Sequence, residues 1–317
     1  MIRSMYSGIS GLKNFQTKLD VIGNNIANVN TYGFKKGRTV FKDLISQTTS
    51  GASGSSATRG GINAKQVGLG SQIAAIDTIH SGGSLQTTGN TLDLAISGDG
   101  FFIVADGVKT LGTAGVPDTL DGYKNPSYTR AGNFYMDAAG YLVNGDGKYV
   151  YGFADVAAND ATKTDIDFEL AEDVASLVTS SDGSLPGAVN NAITPIRIPT
   201  NAQSMSISQD GTVTFVDSEG DLRYAGQLVL AKFPNAGGLE KTGSNYYKVS
   251  SNSGQPFYSV GTEQGMGSVN SGFLEMSNVD LSEEFTDMIV AQRGFQANTR
   301  VITTSDSILE ELINLKR

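Results

Sequence analysis

Residues 5–29 read MYSGISGLKNFQTKLDVIGNNIANV. Within them Met5, Leu12, Leu19 and Ile26 recur every seven residues, Phe15, Ile22 and Val29 fill the second apolar position of the same repeat, and Ile9 lies beside the stripe. Residues 281–313, LSEEFTDMIVAQRGFQANTRVITTSDSILEELI, repeat the device with Leu281, Met288, Phe295, Ile302 and Leu309, flanked by Phe285, Ile289, Leu312 and Ile313. A seven-residue apolar period marks an amphipathic helix with one face suited to another helix. One such helix near each end of the sequence either brings the ends together or offers both to neighbouring copies, so subunit–subunit assembly is expected before chemistry. The residues between them read as β structure. The expected fold class is α+β: N- and C-terminal helices forming a coiled-coil-like inner domain, and an all-β, mostly antiparallel outer domain.

The first stripe predicts a helix over about residues 4–29. Gly8, Gly11 and Gly23 within it each cost about 1 kcal/mol against Ala, and such a helix is marginal in water by itself. It is expected to order when packed in an assembly. Asn28, Asn30 and Gly33 supply the stop, because Asn and Gly tolerate the left-handed conformation at helix ends. Residues 46–61 are a Ser/Thr/Gly/Ala tract with little to bury, read as a linker or loop. The second helix opens with Asp280 as N-cap and Glu283 three residues on, the spacing of a capping box. Glu284 and Asp287 lie near the positive end of its dipole, and Lys316 and Arg317 at the negative end. In an antiparallel pair those acids meet Lys35, Lys36 and Arg38.

From about residue 71 the signals are those of strands. Leu92, Leu94 and Ile96 alternate with smaller or polar residues, as do Met205 and Ile207, Val213 and Phe215, and Leu228 and Leu230. Asp-Gly pairs at 99–100, 121–122, 146–147, 182–183 and 210–211 suit tight hairpin turns, and a sandwich or irregular barrel follows. The organisation expected is residues 1–33 with 278–317 as a terminal helical domain, 34–70 as a linker or intermediate segment, and 71–277 as a β domain. Within the last, 106–125 reads as a loop excursion and 155–195 as a small insertion with a hint of helix over 173–178.

Composition narrows the chemistry. There is no Cys and one His, His80, which leaves few routes to a thiolate or imidazole metal site or a catalytic triad. No cofactor is expected, and an enzyme would need a convergent polar pocket that the sequence does not reveal. A net charge of −9 lacks the basic footprint of a nucleic-acid binder. The charge is unevenly spread: residues 1–45 carry seven bases against two acids, and residues 276–317 seven acids against four bases. No run of about 18 apolar residues is present, so no membrane insertion is expected. Ser4, Ser7, Ser10, Lys13 and Asn14 break up any apolar core of a secretory signal. Gly68-Leu69-Gly70 lacks the Lys-Ser/Thr of a phosphate loop, and the Asp-Gly turns lack the acid series of a calcium loop.

The segment from Asn24 through Asn25, Ile26, Ala27, Asn28, Val29, Asn30, Thr31, Tyr32, Gly33 and Phe34 to Lys35 resembles the N-terminal signature of the bacterial flagellar axial proteins, the rod and hook family. Ser277-Asn278-Val279-Asp280-Leu281, followed by Met288-Ile289-Val290-Ala291-Gln292-Arg293, resembles the matching C-terminal signature. Residues 91–102 and 128–134 resemble the β core between them. The C-terminal wording is most similar to the hook members, and the opening Met1-Ile2-Arg3-Ser4 also resembles the rod members.

The resemblance implies a structural subunit of the flagellar hook, self-assembling into a flexible helical tube that transmits torque from rod to filament. The alternative within the family is a distal rod subunit. A different-class alternative is a secreted β-domain binding protein or adhesin whose helices close a discrete oligomer. The resemblance also implies an extracellular location in the hook-basal body, export without a cleaved signal through the flagellar type III apparatus, and capping by a hook cap. Its implied partners are further copies of the chain in a helical homopolymer, the rod proteins and the hook–filament junction proteins.

Overall fold

The computed structural model describes residues 2–55, 58–110, 119–155, 164–168, 170 and 189–315. The chain divides into two compact units: Met1–Val29 with Lys35–Ile79 and Val279–Arg317, and Asn30–Phe34 with His80–Asn278.

In the first unit α1 (Ile2–Ala27) and α2 (Leu281–Asn314) lie antiparallel, joined by β1 (Gly37–Asp43), β2 (Ser46–Ser50), β3 (Lys65–Gly68) and β4 (Ser71–Thr78). β1 pairs antiparallel with β4 from Gly37↔Thr78 to Asp43↔Ser71, with a bulge at Val40/Phe41. This sheet packs on α1, where Phe15 meets Phe41 edge to face at 6.1 Å and Asn14 Nδ2 donates to Ser71 Oγ at 2.8 Å. The domain division expected from sequence is corrected here. Residues 34–70 contain three paired strands, and β4, placed with the β domain, belongs with the helices through its register to β1. β2 and β3 form a ribbon whose residues are all exposed.

The second unit holds β5 (Leu85–Thr87), β6 (Leu94–Ser97), β7 (Phe101–Thr110), β8 (Thr119–Thr129), β9 (Phe134–Met136), β10 (Leu142–Asn144), β11 (Tyr149–Asp155) and β12 (Val189–Pro195). It continues with β13 (Ser204–Ile207), β14 (Thr212–Val216), β15 (Leu222–Lys232), β16 (Glu240–Gly243), β17 (Tyr246–Lys248), β18 (Phe257–Val260), β19 (Ser268–Ser271) and β20 (Phe273–Glu275). The main sheet runs β13-β14-β15-β11-β7-β8-β17-β16, and every pairing among the described strands is antiparallel. β7 and β15 lie at its centre and carry core on both faces. Phe102, Val104, Leu228 and Leu230 enter one apolar cluster, while Phe101, Ile103, Val229 and Ala231 enter the other. That is the period-2 alternation of a strand covered on both sides.

The Asp-Gly expectation separates cleanly. Gly100 (φ 133°), Gly147 (φ 78°) and Gly211 (φ 89°) adopt positive φ, the last two at the β10–β11 and β13–β14 hairpins, whereas Asp121-Gly122 continues β8. Asp182-Gly183 and the helix hint at 173–178 lie outside the described residues. Most of the expected insertion does too, although its end forms β12 against β11. The loop excursion at 106–125 is largely an extension of the β7–β8 ladder.

Candidate assembly surface

The helix pair of the first unit is the candidate site. Its seam sets small and polar residues against members of the apolar heptads. Opposite Gly8 stands Ile302, opposite Gly11 stands Asn298, and opposite Phe15 stands Gly294. A Cβ on Gly11 would lie 3.0 Å from Asn298 Oδ1, and one on Gly294 only 2.6 Å from the Phe15 ring. The buried residues of α2 are Glu284, Ala291 and Ser305, on a seven-residue period three places after Leu281, Met288 and Ile302. Small residues allow two backbones to approach closely, and the large apolar side chains are displaced to the flanks.

The consequence is a surface the chain does not cover. Of the sixteen assembly residues drawn from the sequence, Ile22 is buried. Met5, Leu12, Phe15, Leu19, Ile26, Val29, Met288, Phe295, Ile302 and Leu309 are half-buried along the seam's edges. Ile9, Leu281, Phe285, Ile289 and Leu312 are exposed, with Phe285 at 49% and Ile289 at 51%. Tyr6, Val290, Val301, Ile308 and Ile313, outside that set, are exposed as well. α2 also continues past the start of α1, since the register that puts Gly8 against Ile302 leaves its last turns without an opposite strand of helix.

At the other end of the pair, α1, α2 and β1 enclose a cleft of about 210 Å³. Asn25, 1% exposed, clamps three elements there. Its Nδ2 donates to the Gly37 carbonyl (2.9 Å) and to Glu284 Oε2 (3.1 Å), and its Oδ1 accepts from Gly37 N–H (2.9 Å). Lys36 pairs with Glu283 at 2.7 Å and Lys18 with Asp287 at 3.0 Å. The complementarity expected between the basic end of α1 and the acidic start of α2 is therefore present within the chain, while Arg38 turns instead to Asp77. Asp280 caps α2 by accepting from Ser282 N–H at 2.8 Å, but the expected capping box does not form, and the Glu283 carboxylate accepts from Lys36 instead.

The signature residues fall on both units. Asn28 Nδ2 donates to the Asn24 carbonyl at the end of α1 (2.9 Å), Lys35 is fully buried, and Val279 is half-buried. In the second unit the Thr31 carbonyl accepts from Phe34 N–H (3.2 Å). Gly33 takes φ 70° so close to Ala131 that a Cβ would lie 2.5 Å from its nitrogen. Phe34 lies under the Lys241 ammonium (4.9 Å), and Asn278 Nδ2 donates to Ser81 Oγ (3.0 Å). Gln292 and Arg293 are exposed on α2.

Sequence reasoning missed a buried ion pair, Arg130 Nη1 to Glu275 Oε2 at 3.3 Å, whose guanidinium also lies over Phe101. The single histidine, His80, packs edge-on against Phe101 and Tyr247. Burial pushes the Tyr247 hydroxyl well above the ordinary phenol range. Among the described residues no group of His, Asp and Glu is arranged to hold a metal ion, and no helix is long and apolar enough to cross a membrane.

Three family models match the chain: "Flagella basal body rod protein" over residues 5–35, "Flagellar hook protein FlgE/F/G D1 domain" over 118–215 and "Flagellar basal body rod FlgEFG protein C-terminal" over 270–315. The chain is 51% identical over 323 positions to the flagellar basal-body rod protein FlgG of Bacillus subtilis (strain 168), covering all of both chains. It is 34% identical over 457 positions to the flagellar hook protein FlgE of Borreliella burgdorferi, and 32% identical over 479 positions to that of Treponema pallidum, again covering all of each. The Helicobacter pylori flagellar hook protein FlgE2 overlays 60% of this chain and all of its own at a TM-score of 0.37 and 11% identity, a likeness too loose to extend the comparison of folds. With relatives of this identity spanning its full length, the chain belongs to the bacterial flagellar rod and hook protein family.

Proposed function

We propose that this chain is a distal rod subunit of the flagellar basal body, polymerising head to tail into a helical tube by covering the exposed apolar residues of α1 and α2 with the same helices of neighbouring copies. The observation that carries the assembly reading is the helix pair itself: its seam is closed by small residues, so Phe285, Ile289 and Val290, each about half exposed, remain for a partner. A heterologous interface whose rotation does not close yields an open helical array.

The rod reading is favoured over the hook by length. The FlgG alignment accommodates 317 residues with almost no gaps, whereas the hook alignments contain more than a hundred positions with no counterpart in this chain. The hook reading keeps the support of the C-terminal wording around Asn278 and Ile289. Either role is structural, fits export through the flagellar type III apparatus without a cleaved signal, and takes rod proteins and further copies as partners. Antibody labelling of purified basal bodies tests the choice: label within the ring-enclosed rod supports the proposal, and label on the curved segment beyond the rings overturns it. Electron microscopy of concentrated protein separates both from the adhesin reading, which predicts defined particles in place of tubes.

A further inference from the structure

The cleft between α1, α2 and β1 is lined by Lys18, Lys36 and Arg38 and by Glu283, Glu284 and Asp287, and of these acids Glu284 alone makes no direct ion pair among the described residues. Lys36 is committed to Glu283 and Lys18 to Asp287, at 2.7 and 3.0 Å. Glu284, 6% exposed, receives a single bond from the neutral Asn25 amide at 3.1 Å. A carboxylate withdrawn from water without a cation is costly, yet this one lines an open cleft rather than a sealed core. On another face of α2, Phe285 and Ile289 are exposed. On the same face, at 100° per residue, Arg293 projects between Ile289 and Val290. It is exposed and makes no ion pair among the described residues.

We propose that the cleft is a cation receptor for a second copy of this chain, and that Arg293 from the neighbour's α2 enters it to pair with Glu284. The proposal rests on the assembly reading above and specifies its contact. The layout is that of a binding hot spot, a desolvated charge pair ringed by apolar contacts that exclude water. Glu284 supplies the buried carboxylate, Asn25 fixes its position, and Val21, Ile22 and Ile79 form the apolar part of the lining. A guanidinium suits the site better than an ammonium, because its fork can meet the carboxylate while its plane lies on apolar surface.

A double-mutant cycle on the full chain tests this. The critical concentration for assembly is measured by sedimentation at low salt for wild type, Glu284→Gln, Arg293→Gln and the double variant, with Arg300→Gln as control and thermal melting of each monomer to confirm folding. The expected result is a rise of at least about tenfold, roughly 1.4 kcal/mol, for each single variant, and no further rise in the double. Arg300→Gln should match wild type. Multiplying effects, or a Glu284→Gln chain that assembles like wild type, would overturn the proposal while leaving the assembly reading intact. If Glu284→Gln melts early, Arg293→Gln, an exposed change, decides the matter: wild-type assembly by it is a refutation. A wild-type chain that never assembles overturns the assembly reading and the contact together.

Discussion

At the residue scale, Asn25 shows how a signature position acquires physical meaning. Its side chain is spent on three hydrogen bonds to two other elements, and Asn25→Ala would leave Gly37's amide and carbonyl without those partners. Each unmatched buried group costs about 1–3 kcal/mol, so the variant should unfold at lower urea, by about 2–4 kcal/mol in total. An unchanged midpoint would show that water replaces the amide without loss. Asp217 makes a different prediction. Arg223 Nε at 2.7 Å, together with the Asp221 and Glu219 amides, holds its carboxyl below the usual carboxylate range despite burial. A depressed folded value means stability that is complete above the ordinary value of 3.8 and lost as pH falls toward the folded one. Wild type should therefore lose melting temperature on acidification below about pH 4, and Asp217→Asn should lose less over the same range while starting lower at neutral pH. Parallel curves would contradict the assignment.

At the element scale, the apolar heptads announced both helices and their amphipathic faces but not which face meets the partner helix. The stripe Leu281, Met288, Phe295, Ile302 and Leu309 did not by itself point to Gly11, Gly294 and Asn298, where the backbones come close. A pattern of large side chains locates buried stripes. It does not reveal that small residues allow a closer approach in another register. Within one chain α1 already packs against α2 and the β1–β4 sheet. The β body was more legible, because period-2 alternation in residues 92–96, 205–215 and 228–230 depends on local sequence, whereas the β1–β4 register depends on pairing between residues far apart in the chain, from Gly37↔Thr78 to Asp43↔Ser71. The seam account predicts that Gly294→Leu, which drives a side chain into the Phe15 ring, melts the helical unit by about 1–3 kcal/mol. Gly23→Ala, where a Cβ meets nothing within 4 Å, should stabilise it by about 1 kcal/mol. Chemical denaturation followed by helical circular dichroism distinguishes the two, and a neutral Gly294→Leu would sink the close-approach reading.

At the scale of the whole molecule, one chain supplies a well-covered β unit and a helical unit whose best apolar residues face outward. Membership of an axial family explains why such a surface is kept, since a monomer would gain by making it polar. The central claim is that assembly uses this surface and not the intrachain seam. The most direct measurement is sedimentation and electron microscopy of the full chain carrying Phe285→Ser, Ile289→Ser and Val290→Ser together. All three side chains are about half exposed, so each interface loses roughly 2–5 kcal/mol of the apolar burial left to make, and thermal melting checks that the monomer stays folded. The account predicts a folded monomer that forms no tubes at concentrations where wild type does. Tubes formed by the triple variant as readily as by wild type would contradict it.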